Sequence, residues 1–207
     1  MSEHLLEQVA ADVSFRLRRP LVELEASGHH LHLSRADADQ LFGVGVALIP
    51  AHDLSQPGQF TTTQRLTVVG PKGELHKVVI IGPERAQSQV ELSATDAVLL
   101  GINPPVRLSG DLDGTPGLTV VGPAGEVRLP GGAIIAKRHI HMHPSFGERH
   151  GIADRQVVAV RVWGERGLTF ENVIVRQSPD FATYMHIDYD EANACGFRPG
   201  MLGTIIV

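Results

Sequence analysis

Two histidine pairs carry the first chemical signal in this chain. His30-Leu31-His32 and His139-Ile140-His141 stand 109 residues apart, and each is followed by a matching downstream segment. From Glu91 the chain reads Glu91-Leu92-Ser93, then Asp96-Ala97, Gly101 and Pro104; from His186 it reads His186-Ile187-Asp188, then Glu191-Ala192, Gly196 and Pro199, at an offset of 95. Glu91 and His186 thus take the same place in their respective halves. Each half offers two imidazoles and a third metal-capable side chain, the minimum for a metal that keeps a coordination position open. A single His-x-His in a chain with eleven histidines would read as packing or surface. The doubling of the pair together with its downstream block points to metal instead. Both pairs are internal, which excludes a purification tag.

The spacing carries its own geometry. Residues i and i+2 of a strand project from one face, so two imidazoles so placed can converge on one ion. Ser34-Arg35-Ala36-Asp37, Ser93-Ala94-Thr95-Asp96 and Asp188-Tyr189-Asp190-Glu191 read as helix N-terminal capping boxes, each opening two residues after a candidate ligand. The expectation is a strand that ends on its ligands and turns at once into a short helix. A positive helix end near the metal would favour an anionic substrate such as phosphate or carboxylate.

Composition bounds the setting. At 207 residues the chain can hold one large domain or two small ones with a real core. Its 43% hydrophobic and 20% charged residues are those of an ordinary soluble globular protein, not of a disordered chain. A net charge of −5 argues against broad nucleic-acid binding, for which a basic face is needed. Cys195 is the only cysteine, so an internal disulfide and a thiolate zinc site are both excluded, leaving His and carboxylate as ligands. Cys195 itself, between Ala194 and Gly196 in an expected helix, reads as a packing residue. No stretch is long and apolar enough to span a membrane, and the start lacks a secretory signal, so the cytoplasm is the expected location. Residues 1–18 place Leu5, Leu6, Val9, Ala10 and Val13 at helical spacing, an amphipathic helix that either packs on the body or docks to a larger assembly.

The elements that must position the ligands are mostly strands. Leu66-Thr67-Val68-Val69-Gly70-Pro71 recurs as Leu118-Thr119-Val120-Val121-Gly122-Pro123, each running into a turn. Lys77 to Ile81, Val157 to Val162 and Asn172 to Arg176 are further β-rich runs. With 22 Gly and 13 Pro punctuating short strands, a mainly β, internally duplicated body of two small β-barrels fits better than a doubly wound α/β sheet. No dinucleotide fingerprint, P-loop, GxSxG or HExxH motif occurs, which lowers the priors for nucleotide enzymes, serine hydrolases and common zinc proteases. Two arginines lie near the ligands, and a guanidinium fork can hold an oxyanion. Arg85 lies six residues before Glu91; Arg138 precedes His139 directly, where strand alternation turns it to the opposite face.

Taken in order, Ser27-Gly28-His29-His30-Leu31-His32-Leu33-Ser34, Leu54-Ser55-Gln56-Pro57-Gly58-Gln59-Phe60, Gln89-Val90-Glu91-Leu92-Ser93, Ser109-Gly110-Asp111-Leu112-Asp113-Gly114-Thr115-Pro116-Gly117, Arg138-His139-Ile140-His141-Met142 and Met185-His186-Ile187-Asp188 resemble the PduL-type phosphate acyltransferases. These are phosphotransacylases of bacterial microcompartments and their cytosolic relatives. The resemblance runs from about Leu21 to the C-terminus. It implies two β-barrels with short capping helices and a swapped first strand, residues 19–28 joining 137–207 in one barrel and 29–136 forming the other. It implies one zinc on His30, His32 and Glu91 and another on His139, His141 and His186, two per active site. By the same resemblance Arg85 is the phosphate-binding catalytic arginine, Gln56 and Gln59 lie near the substrates, and acyl-CoA and phosphate react reversibly to acyl phosphate and CoA. A homodimer is implied too, in the cytoplasm or in a microcompartment lumen, with residues 1–18 the candidate targeting segment. The chain departs from the family pattern at His29, where arginine is common, and at Val98, where relatives often carry an aromatic residue near CoA.

Phosphate is an anionic nucleophile at neutral pH, so this chemistry needs no side-chain nucleophile, in keeping with the missing Ser/His/Asp and Cys/His signatures. A dinuclear zinc hydrolase of a thioester or phosphoester is the competing enzyme class, since the same metals could activate water. An iron oxygenase fits less well, because the second site has three histidines instead of a facial triad. A metal-dependent structural or shell-associated module would fold with zinc but turn nothing over.

Overall fold

Short apolar runs broken by glycine and proline fold here as strands and tight turns, as their β-branched content dictates. The computed structural model describes residues 19–207, and the amphipathic segment expected over residues 1–18 lies outside the described residues. Along the chain come β1 (Leu21–Ala26), β2 (His30–His32), α1 (Arg35–Phe42), β3 (Pro50–Asp53), β4 (Phe60–Val69), β5 (Glu74–Gly82), β6 (Gln89–Leu92) and α2 (Ala94–Leu100). They are followed by β7 (Val106–Arg107), β8 (Leu118–Val121), β9 (Glu126–Leu129), β10 (Ala133–Ala136), β11 (His139–Met142) and α3 (Pro144–His150). The last elements are β12 (Val157–Val162), β13 (Leu168–Gln177), β14 (Tyr184–Ile187), α4 (Tyr189–Cys195) and β15 (Leu202–Ile206).

The chain divides into two compact units. One joins β1 to Arg138–Ile187 and Glu191–Val207; the other holds Ser27–Lys137 with Asp188–Asp190. In the first, the strands close into a barrel in the order β1-β14-β11-β13-β12-β15. In the second, the order β10-β6-β2-β5-β4-β8 repeats that path strand for strand, with β7 added beyond β10, β9 beyond β8 and β3 beside β4. The fold is therefore mainly β and internally duplicated. β1, the first strand of the chain, fills in one unit the place that β10 fills in the other. The second unit differs from a closed barrel for a local reason. β15 pairs with both β12 and β1, whereas β8 pairs with β4 and β9, and β10 turns its free edge to β7.

Strand alternation assigns the two faces of each ligand strand. Leu31 and Leu33 flank His32 and are wholly buried in a core with Val68, Val78, Ile80 and Val90. Ile140 and Met142 flank His141 and do the same with Val160, Val173, Val175 and Met185. Burying each such side chain contributes about 1.5–3 kcal/mol, so slipping either strand by one residue would move leucine or isoleucine out and histidine in. Core burial thus fixes the direction in which the imidazoles point.

Short helices follow the ligand strands. Ser34 caps α1, accepting from the Asp37 N–H, and Ser93 with Asp96 forms a full capping box on α2. α4 begins at Tyr189, immediately after Asp188. α3 is the counterpart of α1 and escaped the capping-box reading because its cap is a histidine: His143 Nδ1 accepts from the Ser145 N–H and Pro144 opens the helix.

The Leu66–Pro71 and Leu118–Pro123 repeat has a different meaning from the ligand repeat. Both copies lie in one unit and pair with each other, Thr67 with Val121, Val68 with Val120 and Val69 with Thr119. Each ends in the same turn, Gly70 N–H to Gly73 C=O and Gly122 N–H to Gly125 C=O. Glycine is needed because a Cβ at Gly70 would strike the Leu100 carbonyl oxygen at the end of α2, and one at Gly122 the Leu41 carbonyl oxygen near the end of α1. The repeat therefore seats the ends of the two helices that follow the ligand strands.

Candidate functional site

The antiparallel ladder between β2 and β6 sets His30 opposite Glu91 and His32 opposite Gln89. His30 Nε2 lies 3.6 Å from Glu91 Oε2 and His32 Nε2 lies 3.7 Å from Glu91 Oε1. The two rings meet edge to face at 5.1 Å, and one donor atom from each of the three residues lies within 4.8 Å of the others. The far side of each ring is fixed by backbone: His30 Nδ1 bonds the Gly28 carbonyl at 2.8 Å and His32 Nδ1 the Ile81 carbonyl at 3.1 Å. A carbonyl only accepts, so Nδ1 carries the hydrogen in both rings and Nε2 is turned toward the triad. Metal-binding histidines are oriented by such contacts.

The electrostatics fit a cation. Burial draws the His32 imidazole down to about 4, and burial likewise lowers His30, but there the Glu91 carboxylate and the Gly28 carbonyl outweigh it and the net shift is upward. Burial alone would raise Glu91; the two imidazoles outweigh it and hold the carboxyl well below its ordinary value. Glu91 is thus an anion in a site less than a tenth exposed, and its negative potential draws positive charge to the space between the rings. Two imidazole nitrogens and one carboxylate form a donor set suited to zinc with a position left over.

The other unit repeats the ladder. β11 and β14 are antiparallel, with His139 opposite His186 and His141 opposite Tyr184. Ring centroids lie 4.6 Å apart for His139 and His141, 5.1 Å for His139 and His186, and 4.8 Å for His141 and His186. Here too one nitrogen of each ring falls within 4.8 Å of the others. Phe181 stacks on His141 at 4.1 Å, and Glu25 Oε2 lies 3.4 Å from His186 Nδ1. Three imidazoles are again a zinc donor set.

Arg85 belongs to the first triad's surroundings. Its backbone N–H donates to the Leu33 carbonyl at 2.8 Å, placing it beside the start of α1, and its charge works against protonation of both imidazoles, adding to burial at His32 and overcome by Glu91 at His30. Its Nη1 donates to Ser109 Oγ at 2.8 Å. Ser88 and Ser34 donate their hydroxyls to Asp37 Oδ2, and the Ser34 N–H donates to Ser88 Oγ at 2.8 Å, which ties the Arg85 loop to the helix cap. Gln59 and Arg85 line a cleft of about 260 Å³ with Pro57, Gly58, Gly82 and Pro83. Gln56 is buried behind it, its carbonyl accepting from the Gln59 N–H.

Other residues lie apart from the triads. Arg138 is engaged with Glu191 at 2.7 Å and with the Glu171 carbonyl at 2.6 Å, on the face that alternation assigns to it. His29 turns to Asp96 at 3.2 Å. Val98 is 78% exposed on α2. Cys195 is buried and bonded to the Ala192 carbonyl, and burial pushes its thiol up, the opposite of what a nucleophile needs. Four residues given no role from sequence stand against the triads, Gln89 and Ser109 in one unit and Glu25 and Phe181 in the other. Gln89 could have been found, since it lies two residues before Glu91 on one strand face; the others depend on pairings distant in sequence.

Comparison with known proteins agrees in one direction. Residues 23–198 match the family model described as phosphate propanoyltransferase. The chain is 51% identical over 207 residues to a phosphate propanoyltransferase of Listeria monocytogenes, covering 100% of this chain and 97% of that one. It is 56% identical over 184 residues to one from Enterococcus faecalis, covering 89% and 87%, and 44% identical over 207 residues to one from Thermotoga maritima, covering 100% and 99%.

Proposed function

The chain belongs to the phosphate propanoyltransferase family, and from that premise we propose that it moves a short acyl group, propanoyl or acetyl, between CoA and inorganic phosphate, with one zinc ion held on each triad. The observation that carries this reading is the linkage, within one unit, of the His30, His32 and Glu91 donor set to Arg85, whose guanidinium lines a cleft.

In the forward direction a phosphate oxygen attacks the thioester carbonyl carbon. The carbonyl π pair moves to oxygen and returns as the C–S bond breaks, leaving acyl phosphate and CoA thiolate; the proton that hydrogen phosphate gives up to solvent matches the one the thiolate takes up. Arg85 holds the phosphate through its planar fork, and Ser109 fixes the guanidinium so that the anion is placed and not merely attracted. Holding the nucleophile next to the thioester replaces a bimolecular encounter by an oriented one, the largest gain open to a site without a side-chain nucleophile. Gln59, on the cleft wall, offers an amide to the same substrates. His30, His32 and Glu91 would hold a zinc ion, which when bound would supply Lewis acidity and offset developing negative charge. The imidazole Nδ1 contacts to Gly28 and Ile81 keep the Nε2 atoms directed at such an ion.

Purified protein assayed with acetyl-CoA and propanoyl-CoA, with and without phosphate and chelator, tests the reading. CoA release that requires phosphate and is lost to chelator is expected. Equal release without phosphate would show a thioester hydrolase and overturn the transfer chemistry. A homodimer and a microcompartment lumen complete the proposal on the strength of the family resemblance; sedimentation, and a fluorescent reporter fused to residues 1–18 in shell-forming cells, test them.

A further inference from the structure

Gln89 is 1% exposed, and all three of its amide contacts are to polar groups of the site. Its Nε2 donates to Glu91 Oε1 at 2.5 Å and to Ser109 Oγ at 2.7 Å, while its Oε1 accepts from the Gly110 N–H at 3.0 Å. Ser109 Oγ in turn accepts from Arg85 Nη1. The amide therefore sits at the centre of a chain running from the third candidate ligand to the oxyanion-binding arginine. Its place is set by the ladder: Gln89 lies opposite His32 as Glu91 lies opposite His30, so the four side chains form a block on one face of two paired strands.

We propose that Gln89 is a positioning residue that holds the Glu91 carboxylate and, through Ser109, the Arg85 guanidinium in one fixed relation, so that the metal-binding and phosphate-binding groups are oriented by a single buried amide. The chemistry favours an amide for this task. A carboxylate at position 89 would repel Glu91, and an alkyl chain would take the acceptor from the Gly110 N–H and remove one donor each from Ser109 Oγ and Glu91 Oε1. Glutamine alone among side chains of this length gives two donors in one direction and an acceptor in the other. The inference rests on the phosphate-transfer reading of the site.

Gln89→Met keeps the length and removes the amide, and its first readout needs no turnover. Zinc affinity by competition with a chromogenic chelator is expected to fall about 10- to 100-fold, the usual consequence of losing the group that orients a ligand. Phosphate KM should rise while acyl-CoA KM stays constant. Ser109→Ala should raise phosphate KM with zinc affinity unchanged, and adding it to Gln89→Met should give no further rise in phosphate KM. Gln89→Asn, polar but one methylene shorter, should fall between wild type and Gln89→Met, and it carries the test should Gln89→Met not fold. A lowered melting temperature with both zinc affinity and phosphate KM at wild-type values would show a merely structural glutamine and overturn the proposal. Wild-type protein that binds no zinc or releases CoA without phosphate would instead sink the underlying reading, and the inference with it.

Discussion

Replacing Arg85 by lysine isolates the fork from the charge. In the structure Arg85 leans on Ser109 through one nitrogen at 2.8 Å and faces the cleft with Gln59. A guanidinium can bond the serine and still offer parallel N–H donors to an oxyanion, whereas a lysine ammonium is a single point that must choose. The variant keeps the positive charge beside His30 and His32 but loses about one charge-assisted hydrogen bond to phosphate. Such a bond is worth about 1.5–3 kcal/mol, which corresponds to a rise in phosphate KM of about 10- to 150-fold. Arg85→Met, which also removes the charge, should be worse than Arg85→Lys. The assay follows CoA thiol release at saturating propanoyl-CoA while phosphate is varied; acyl-CoA KM in the same variants is the control and should not move. Unchanged phosphate KM in Arg85→Met, or an equal rise in both KM values, would refute the assignment of phosphate to this side chain.

Four further outcomes are expected. Metal analysis should find two zinc ions per chain, with His30→Ala and His186→Ala each losing one and chelation abolishing turnover until zinc is restored; loss of both ions from either single variant would contradict two independent triads. Ser93→Ala should cost about 1 kcal/mol in urea unfolding through loss of the α2 cap. Burial would raise the Asp96 carboxyl, but His29 and the Ser93 backbone outweigh it and depress the net value, so its stabilisation is present above the unfolded value of about 4 and lost as pH falls through the folded one; Asp96→Asn should therefore be less stable than wild type at neutral pH and converge with it in acid. Gly70→Ala and Gly122→Ala should each destabilise by about 1–3 kcal/mol, since the added methyl meets the Leu100 or Leu41 carbonyl oxygen; melting temperatures equal to wild type would show that the helix ends yield.

What could be seen in the sequence is what depends on period. A strand repeats every two residues, so His30 with His32 and His139 with His141 announce a shared face before any coordinates exist, and the Glu91 and His186 blocks announce the third donor through their common offset. The caps were legible for the same local reason, Ser34 and Ser93 being followed by aspartate three residues on. Pairing is not local. Nothing near Ser109 indicates that its hydroxyl meets Arg85, and nothing near Glu25 indicates that β1 runs parallel to β14 and sets this carboxylate against His186. The Leu66 and Leu118 repeat shows the opposite hazard: similar residues signal similar hairpins, and only the ladder shows that they pair with each other inside one unit. Closure of one sheet and not the other follows from which strand takes the free edge of β8, again a choice made far along the chain.

The two halves reach one ladder geometry with different charge. Glu91 on β6 faces Ile134 on the parallel neighbour β10, and His186 on β14 faces Glu25 on the parallel neighbour β1. Since β1 and β10 are equivalent strands, the pair Glu and Ile in one unit stands where His and Glu stand in the other. One triad thus carries its carboxylate as a direct donor. In the other the third side chain is an imidazole, and the carboxylate lies one residue further out, with Glu25 Oε2 3.4 Å from His186 Nδ1. A carboxylate in that outer place raises the basicity of the imidazole and fixes its orientation, so part of the lost negative charge is returned through the ring. The total charge near each donor set is kept at one carboxylate while its distance changes. The third side chains therefore differ in charge although the strand pairings that place them are the same.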